Sequence, residues 1–285
     1  MNVLLTGSNG FIGSYFQKQY SNIHTIQTFS FLKDSFEDLS VSNVDVVIHL
    51  SALVHQMGGA SEQAYEDINV TQTLALAMKA KESGISQFIF MSTVKVYGEE
   101  SKEVYKESSV CYPLDAYGKS KLRAERELQK LENETFKVSI IRTPIVYGYG
   151  VKANIRNLML LIDKVSFLPF GGIQNKRSMT YVGNLCALID CIIHKHQRGV
   201  FLASDDVALS TTQMIECIAK AKHESCYLFK VPFFPLFLKW LKLSFYKRLF
   251  ESLEVDNRET KRLLAFENPY TVEEGIDYMV HGEKR

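Results

Sequence analysis

The stretch "NVLLTGSNGFIGS", residues 2–14, decides the fold. Its first half is an apolar run ending at Thr6, and its second half sets Gly7, Gly10 and Gly13 at GxxGxxG spacing. A strand feeding a glycine turn that opens a helix is an arrangement able to hold a dinucleotide. The turn needs a residue tolerant of positive φ, and backbone can approach pyrophosphate closely only where a Cβ is missing. The first helical N–H groups and the positive end of the helix dipole then face the phosphates. Gly7, Asn9, Gly10, Phe11, Ile12 and Gly13 are the candidate pyrophosphate-binding residues.

Working outward, "HTIQTFSF" (24–31), "VDVVIHLSA" (44–52), "QFIFMST" (87–93) and "VSIIRTPIVYG" (138–148) read as further strands, the last three buried on both faces. Helical patterns lie between them at 11–20, 64–83 and 115–132. Alternation of this kind predicts an α/β fold, a Rossmann-type doubly wound parallel sheet with helices on both sides. The short gap before residue 44 leaves little room for the usual further strand and helix, so the first crossover is abbreviated. After Tyr147 the chain is Gly-marked, then helical, then loop-like with short strands over 168–184; "RGVFLASDD" (198–206) returns to strand. Helices are expected near 211–222 and 271–280. The pattern divides the chain into a dinucleotide-binding domain over 1–147, rejoined by about 180–206, and a smaller mixed α/β C-terminal lobe for substrate, 148–179 and 207–285.

Bulk properties narrow the function. A net charge of +1 over 285 residues gives no electrostatic case for nucleic acid. Five scattered cysteines without a CxxC pair read as reduced thiols, not as a disulfide framework or zinc site. The apolar start is too short for a secretory signal, and no run approaches the roughly 18 residues a transmembrane helix needs. A cytoplasmic protein is expected. His194 and His196 lie two apart, on different faces of a helix, so no metal site is expected from them. His55 reads as an ordinary loop histidine beside the cofactor rim, with a substrate contact as the alternative. The apolar and basic segment 235–250 reads as a lobe helix whose lysines snorkel outward, with membrane-surface contact as the weaker alternative.

Chemistry enters with "DAYGKSK" (115–121), where Tyr117 and Lys121 are four residues apart on one helix face. Free tyrosine titrates near ~10, and a neighbouring cation favours phenolate, so Lys121 is expected to bring the Tyr117 proton within reach of neutral pH. Upstream, "MSTVKVYGE" ends a strand with Ser92 and Thr93, and ligands of doubly wound sheets sit beyond such strand ends.

Together "TGSNGFIG", "MSTVKVYG" and "YGKSK" resemble the extended short-chain dehydrogenase/reductase family, in its sugar-nucleotide epimerase/dehydratase branch. The resemblance implies Tyr117 as acid/base, Lys121 as its partner and ribose contact, and Thr93 as the hydroxyl that orients the substrate oxygen. It implies that Leu50, Ser51 and Ala52 of "HLSALV" run beside the cofactor and that Pro144 faces the nicotinamide. It also places Asn154 at the sugar nucleotide, Phe170 beside its base and Arg177 on its diphosphate. Ser51, Gln72, Ser178 and Gly183 depart from the family pattern, while Asn69 is retained. The cofactor class is NAD(P): Thr28–Phe31 offers no acid for a ribose diol, and Lys33 is the nearest cation, so both dinucleotides stay open.

A 4,6-dehydratase needs an Asp-Glu pair after the Ser/Thr position, and here Val94 and Lys95 follow Thr93. Reduction and epimerisation at C4 share the same triad. Segments such as "HLSALVHQMGG", "IVYGYGVKANIRNLM" and "LPFGGIQNKRS" look like the subgroup that reduces UDP-4-keto-6-deoxy-N-acetylglucosamine for surface polysaccharide synthesis. The alternatives are a UDP-glucose or UDP-N-acetylglucosamine 4-epimerase and, outside enzymes, a dinucleotide-binding sensor. By analogy with dimeric relatives, the helices at 64–83 and 115–132 suggest a homodimer.

Overall fold

The computed structural model of the chain describes residues 1–54, 60–101, 103–232, 240 and 243–283, the side chains of 243–245 and 248 excepted. Six parallel strands form the central sheet: β1 (Asn2–Thr6), β2 (Thr25–Phe29), β3 (Val46–His49), β4 (Gln87–Thr93), β5 (Lys137–Thr143) and β9 (Gly199–Leu202). Their spatial order is β2-β1-β3-β4-β5-β9. Neighbouring β1 side chains enter opposite layers. Val3 and Leu5 join one core with Ile48 and Ile89, and Leu4 joins another with Val47 and Phe88. Both faces are covered, which is why the strands read as continuous apolar runs.

Helices α1 (Phe11–Tyr20) and α6 (Val182–Lys195) cover the first layer through Phe16, Leu185 and Ile189. Helices α3 (Gln72–Glu82) and α4 (Ala116–Leu131) cover the second through Leu76, Ala80, Ala124 and Leu128. Strand β1 pairs with β2 on one side and β3 on the other, so the strand order reverses there and a crevice opens at the carboxyl ends. No strand lies between Phe29 and Val46, as the short spacing predicts, and β2 is an edge strand.

Three departures from the sequence reading have physical causes. The single strand expected over 138–148 divides at Pro144, which has no N–H for a ladder, into β5 and β6 (Ile145–Tyr147); β6 pairs instead with β8 (Met179–Tyr181). The helix expected over 64–83 is α2 (Glu62–Glu66) and α3 joined by a π-turn, Asp67–Thr71. The sequence pattern assigns no element to the body of α6. That helix is buried at most of its positions, so it lacks the polar stripe that marks an amphipathic helix.

The rest comprises α5 (Ala153–Lys164), α7 (Thr211–Ala221), α8 (Leu243–Phe250), α9 (Arg258–Leu264) and α10 (Val272–His281), with β7 (Phe167–Leu168) parallel to β10 (Tyr227–Leu228). Capping boxes start α7 (Ser210 with Gln213) and α10 (Thr271 with Glu274), fixing both helix entries. The Pro235 start expected for the apolar-basic helix lies outside the described residues; within that segment Trp240 is exposed and α8 is the helix described.

Candidate active site

The glycine turn is built for backbone, not side chains. Gly7 has φ +72°, and a Cβ there would stand 2.8 Å from the Ser51 nitrogen and 2.9 Å from the Leu50 carbonyl carbon. The turn after β1 is thus pressed against the segment leaving β3. A Cβ on Gly13 would overlap the Gly7 carbonyl oxygen and come within 2.8 Å of Ser8 Cα. The Gly10 N–H donates to the Gly7 carbonyl at 2.9 Å, closing the turn, and no side chain caps α1. Asn9 and Gly10 are exposed, while Phe11 and Ile12 are half-buried. Exposed turn backbone before an uncapped helix start, alongside Leu50, Ser51 and Ala52, fits a dinucleotide's diphosphate. At the end of β2, Asp34 folds back to accept the Ser30 N–H at 2.8 Å, a carboxylate that the sequence reading passed over for Lys33.

Thr93 is the last residue of β4 and is buried. Its Oγ1 accepts the Lys95 N–H at 3.3 Å. Tyr117 lies in the first turn of α4, half-buried, with its ring 6.3 Å from the Tyr65 ring. Lys121, 2% exposed, crosses to β4, where its Nζ donates to the Met91 carbonyl at 2.9 Å and stands 4.3 Å from the centre of the Phe90 ring. The structure thus joins the lysine of α4 to the strand that ends in Thr93. Pro144 is buried where β5 gives way to β6, next to Thr143, whose Cα is registered against Thr93.

The electrostatics differ from the sequence expectation. Burial first, then the charge of Asp115 and the nearby Tyr65, pushes the Tyr117 phenol above its usual range. Burial lowers Lys121 to about 7, opposed by the Glu125 carboxylate. Loss of solvent disfavours phenolate and ammonium alike, so proximity alone does not ready the phenol for proton transfer.

Three buried groups to which the sequence reading gave no role hold this arrangement. Asn69, on the π-turn, accepts the Leu53 N–H at 2.8 Å and donates to the Leu53 carbonyl and to Ser120 Oγ, each at 3.0 Å. It therefore ties the segment after β3 to the helix between Tyr117 and Lys121. His49 sits between Thr6 Oγ1 (2.7 Å) and Thr73 Oγ1 (2.9 Å), and burial lowers its pKa to about 3, so it is neutral. Glu125 pairs with Arg142 and accepts from Ser92 Oγ.

Asn154, Phe170 and Arg177 line one cavity of about 340 Å³, together with Ile145, Met179 and Leu249. Tyr117 and Lys121 do not line it; Ile145, one residue beyond Pro144, is its nearest approach in sequence to that end of the crevice. Arg177 donates through Nη1 to the Glu251 carbonyl at 3.0 Å. Ser178 Oγ accepts the Val255 N–H at 3.0 Å. Gly183 leaves no room for an acid, since a Cβ there would lie 2.5 Å from Tyr181 and 2.9 Å from Tyr15 and Tyr270. A neighbouring acid, Asp205, instead accepts from the Tyr181 N–H at 3.0 Å, Asn184 at 2.8 Å and the Tyr147 hydroxyl at 2.6 Å.

His55 lies outside the described residues. His196 is the left-handed C-cap of α6, not a helix member. The partner of His194 is Asp190, whose carboxylate also takes His24 at 2.6 Å. Among the described residues these three form the one group close enough to hold a metal. The Asp190 hydrogen bonds already account for their approach.

Comparison with known proteins agrees with the fold described above. The model of the NAD dependent epimerase/dehydratase family matches residues 3–202. A UDP-glucose 4-epimerase of Vibrio cholerae is 36% identical over 305 residues, covering 96% of this chain and 93% of that one. An N-acetyl-alpha-D-glucosaminyl-diphospho-ditrans,octacis-undecaprenol 4-epimerase of Escherichia coli O157:H7 is 27% identical over 252 residues, 81% of this chain and 76% of that one. The fold is shared with MoeE5 in complex with UDP-glucose and NAD (TM-score 0.78, 21% identity, 99% of this chain and 98% of that one). It is shared equally with dTDP-4-dehydrorhamnose reductase of Bacillus anthracis in complex with NADP (TM-score 0.78, 20% identity, 99% of both chains). Matched over most of its length, and with a relative similar from end to end, this chain belongs to the NAD dependent epimerase/dehydratase family of enzymes.

Proposed function

We propose that this enzyme moves hydride at C4 of a UDP-linked hexose, and that its direction is reduction of a UDP-4-keto-6-deoxy-N-acetylhexosamine for surface polysaccharide. The observation that carries the reading is that Lys121 reaches β4, the strand that ends in Thr93, from the helix whose first turn carries Tyr117, in the sheet whose β1 and β3 ends form the glycine cradle. Bound NAD(P)H supplies the hydride, held by Gly7, Asn9, Gly10, Phe11, Ile12 and Gly13 at its diphosphate and by Leu50, Ser51, Ala52 and Pro144 further along. Tyr117 donates its phenolic proton to the C4 oxygen, Thr93 hydrogen-bonds the same oxygen, and the Lys121 ammonium favours the phenolate left behind. A phenol kept protonated by burial suits the acid role that reduction requires. In the lobe formed by 148–179 and 207–285, Phe170 borders the base, Arg177 pairs with the diphosphate and Asn154 meets the sugar. Elimination of water has no support: Val94 is buried and the Lys95 ammonium is paired with Asp115.

A second reading, 4-epimerisation of UDP-glucose or UDP-N-acetylglucosamine, is favoured by the name of the Vibrio relative, a UDP-glucose 4-epimerase; the Escherichia relative's name supports only epimerisation at C4, on a sugar carried by undecaprenyl diphosphate. The sensor reading falls with membership of an enzyme family. Incubating the protein with the 4-keto-6-deoxy sugar nucleotide and NADPH or NADH, then with UDP-N-acetylglucosamine and UDP-glucose alone, separates the two. Stoichiometric loss of reduced cofactor supports reduction. Interconversion without net cofactor change overturns it in favour of epimerisation. The same reading includes a homodimer through the α2–α3 and α4 faces, checked by the mass in solution.

A further inference from the structure

Lys95 makes three contacts that no assigned role requires. Its N–H donates to Thr93 Oγ1 at 3.3 Å. Its carbonyl oxygen stands 2.9 Å from where a Cβ on Gly118 would be, so the strand end and the start of α4 pack backbone to backbone. Its Nζ pairs with the Asp115 carboxylate, which in turn accepts the Gly118 N–H at 2.7 Å as the N-cap of α4. One residue therefore connects the Thr93 hydroxyl to the helix turn that carries Tyr117.

We infer that Lys95 is a positioning residue: through Asp115 it sets the register between Thr93 and Tyr117 and balances the carboxylate that caps the helix turn carrying the phenol. The inference rests on the proposed roles of Thr93 and Tyr117. Among the described residues, the ionisable groups that act on that phenol are Asp115 from the helix start and Tyr65 from α2, while Lys121, one turn on, sends its ammonium to the Met91 carbonyl. Removing the Lys95 ammonium leaves the Asp115 charge less compensated, and a less compensated anion makes phenolate harder to form. The C4 oxygen would also meet a hydroxyl and a phenol no longer held in register, which acts on turnover more than on substrate affinity.

The test compares wild type with Lys95→Met, Lys95→Arg, Asp115→Asn and the double variant Lys95→Met/Asp115→Asn in the C4 assay, as full pH profiles of kcat and kcat/KM. Lys95→Met is expected to lower kcat about tenfold with KM little changed. The pH limb reporting the phenol should rise by about 0.5–1 unit. Lys95→Arg, which keeps the charge, should restore both. In the double variant the limb should return toward the wild-type position, because Asn still caps the helix but carries no charge. A wild-type profile in Lys95→Met, or a double variant shifted as far as the single one, would overturn the inference while leaving the proposed reaction intact. An inactive wild type on every C4 substrate would instead sink the proposed reaction, and this inference with it.

Discussion

The Glu125 carboxylate and the Arg142 guanidinium meet at 2.6 Å inside the protein, their side chains 2% and 7% exposed. Glu125 lies four residues beyond Lys121 and eight beyond Tyr117, so the pair backs the same helix face that presents the phenol and the ammonium. Arg142 also donates to the Tyr97 hydroxyl at 2.8 Å, binding β5 to the turn after β4. Removing one partner of such a pair leaves a buried charge without its counter-ion. Glu125→Ala is therefore expected to lose about 3–5 kcal/mol in urea unfolding, and Glu125→Leu with Arg142→Met to recover most of it. Equal losses in both variants would mean that shape, not charge, holds the site.

Tyr117→Phe keeps the ring against Tyr65 and deletes only the hydroxyl. Turnover should fall about 100-fold or more, with dinucleotide affinity, read by quenching of protein fluorescence, nearly unchanged. Full activity would remove Tyr117 as the acid.

Lys121 links pH to stability. Its folded pKa of about 7 lies below the ordinary 10.5, so between those values the unfolded chain binds more protons and stability rises with pH. Below about pH 7 the whole cost of burying the ammonium is present. Lys121→Met should therefore be more stable than wild type by a few kcal/mol at about pH 6, on the order of the pKa difference. The gain should shrink toward about pH 10, while turnover is lost at every pH. Unfolding curves at several pH values check both, and a pH-independent difference would contradict the depressed pKa.

Gly13→Ala puts a methyl group into the Gly7 carbonyl and Ser8 Cα, both backbone and unable to rotate away. Reduced-cofactor binding should weaken at least about tenfold, roughly 1.4 kcal/mol or more, in a titration followed by nicotinamide fluorescence. Gly84→Ala changes a glycine of positive φ with open space around it and serves as the control, destabilising without touching the cofactor.

Arg177→Ala tests the lobe. Loss of one charge-assisted contact should weaken UDP binding about tenfold to a hundredfold by calorimetry. Arg177→Lys should recover only part of that, because the ammonium lacks the planar fork. Unchanged UDP affinity would move the diphosphate elsewhere.

The dinucleotide half was legible because its signals are local. Glycines at fixed spacing, β-branched runs of strand length and a Tyr–Lys pair at helical spacing each speak through neighbouring residues. The hidden parts depend on contacts far apart in sequence. Helix α6 is apolar nearly all round because α1, the sheet and α9 enclose it, so no period stands out. Asn69 gains its meaning from Leu53 and Ser120, 16 and 51 residues away. The charge states of Tyr117 and Lys121 follow from how deeply each is buried, which no spacing reveals. Likewise His194 has its partners in Asp190 and His24, not in the nearby His196.

The wide turn at Asp67–Thr71 has an evolutionary consequence. It holds one residue more than regular winding would, so everything before it is out of phase with everything after it. Deleting a single residue there would restore regular winding and leave the two flanking segments near their present facing, because the wide turn absorbs its extra residue locally. Tyr65 would then stay beside the Tyr117 ring, so what a shortened turn disturbs is Asn69 and its ties to Leu53 and Ser120, not the neighbour of the phenol.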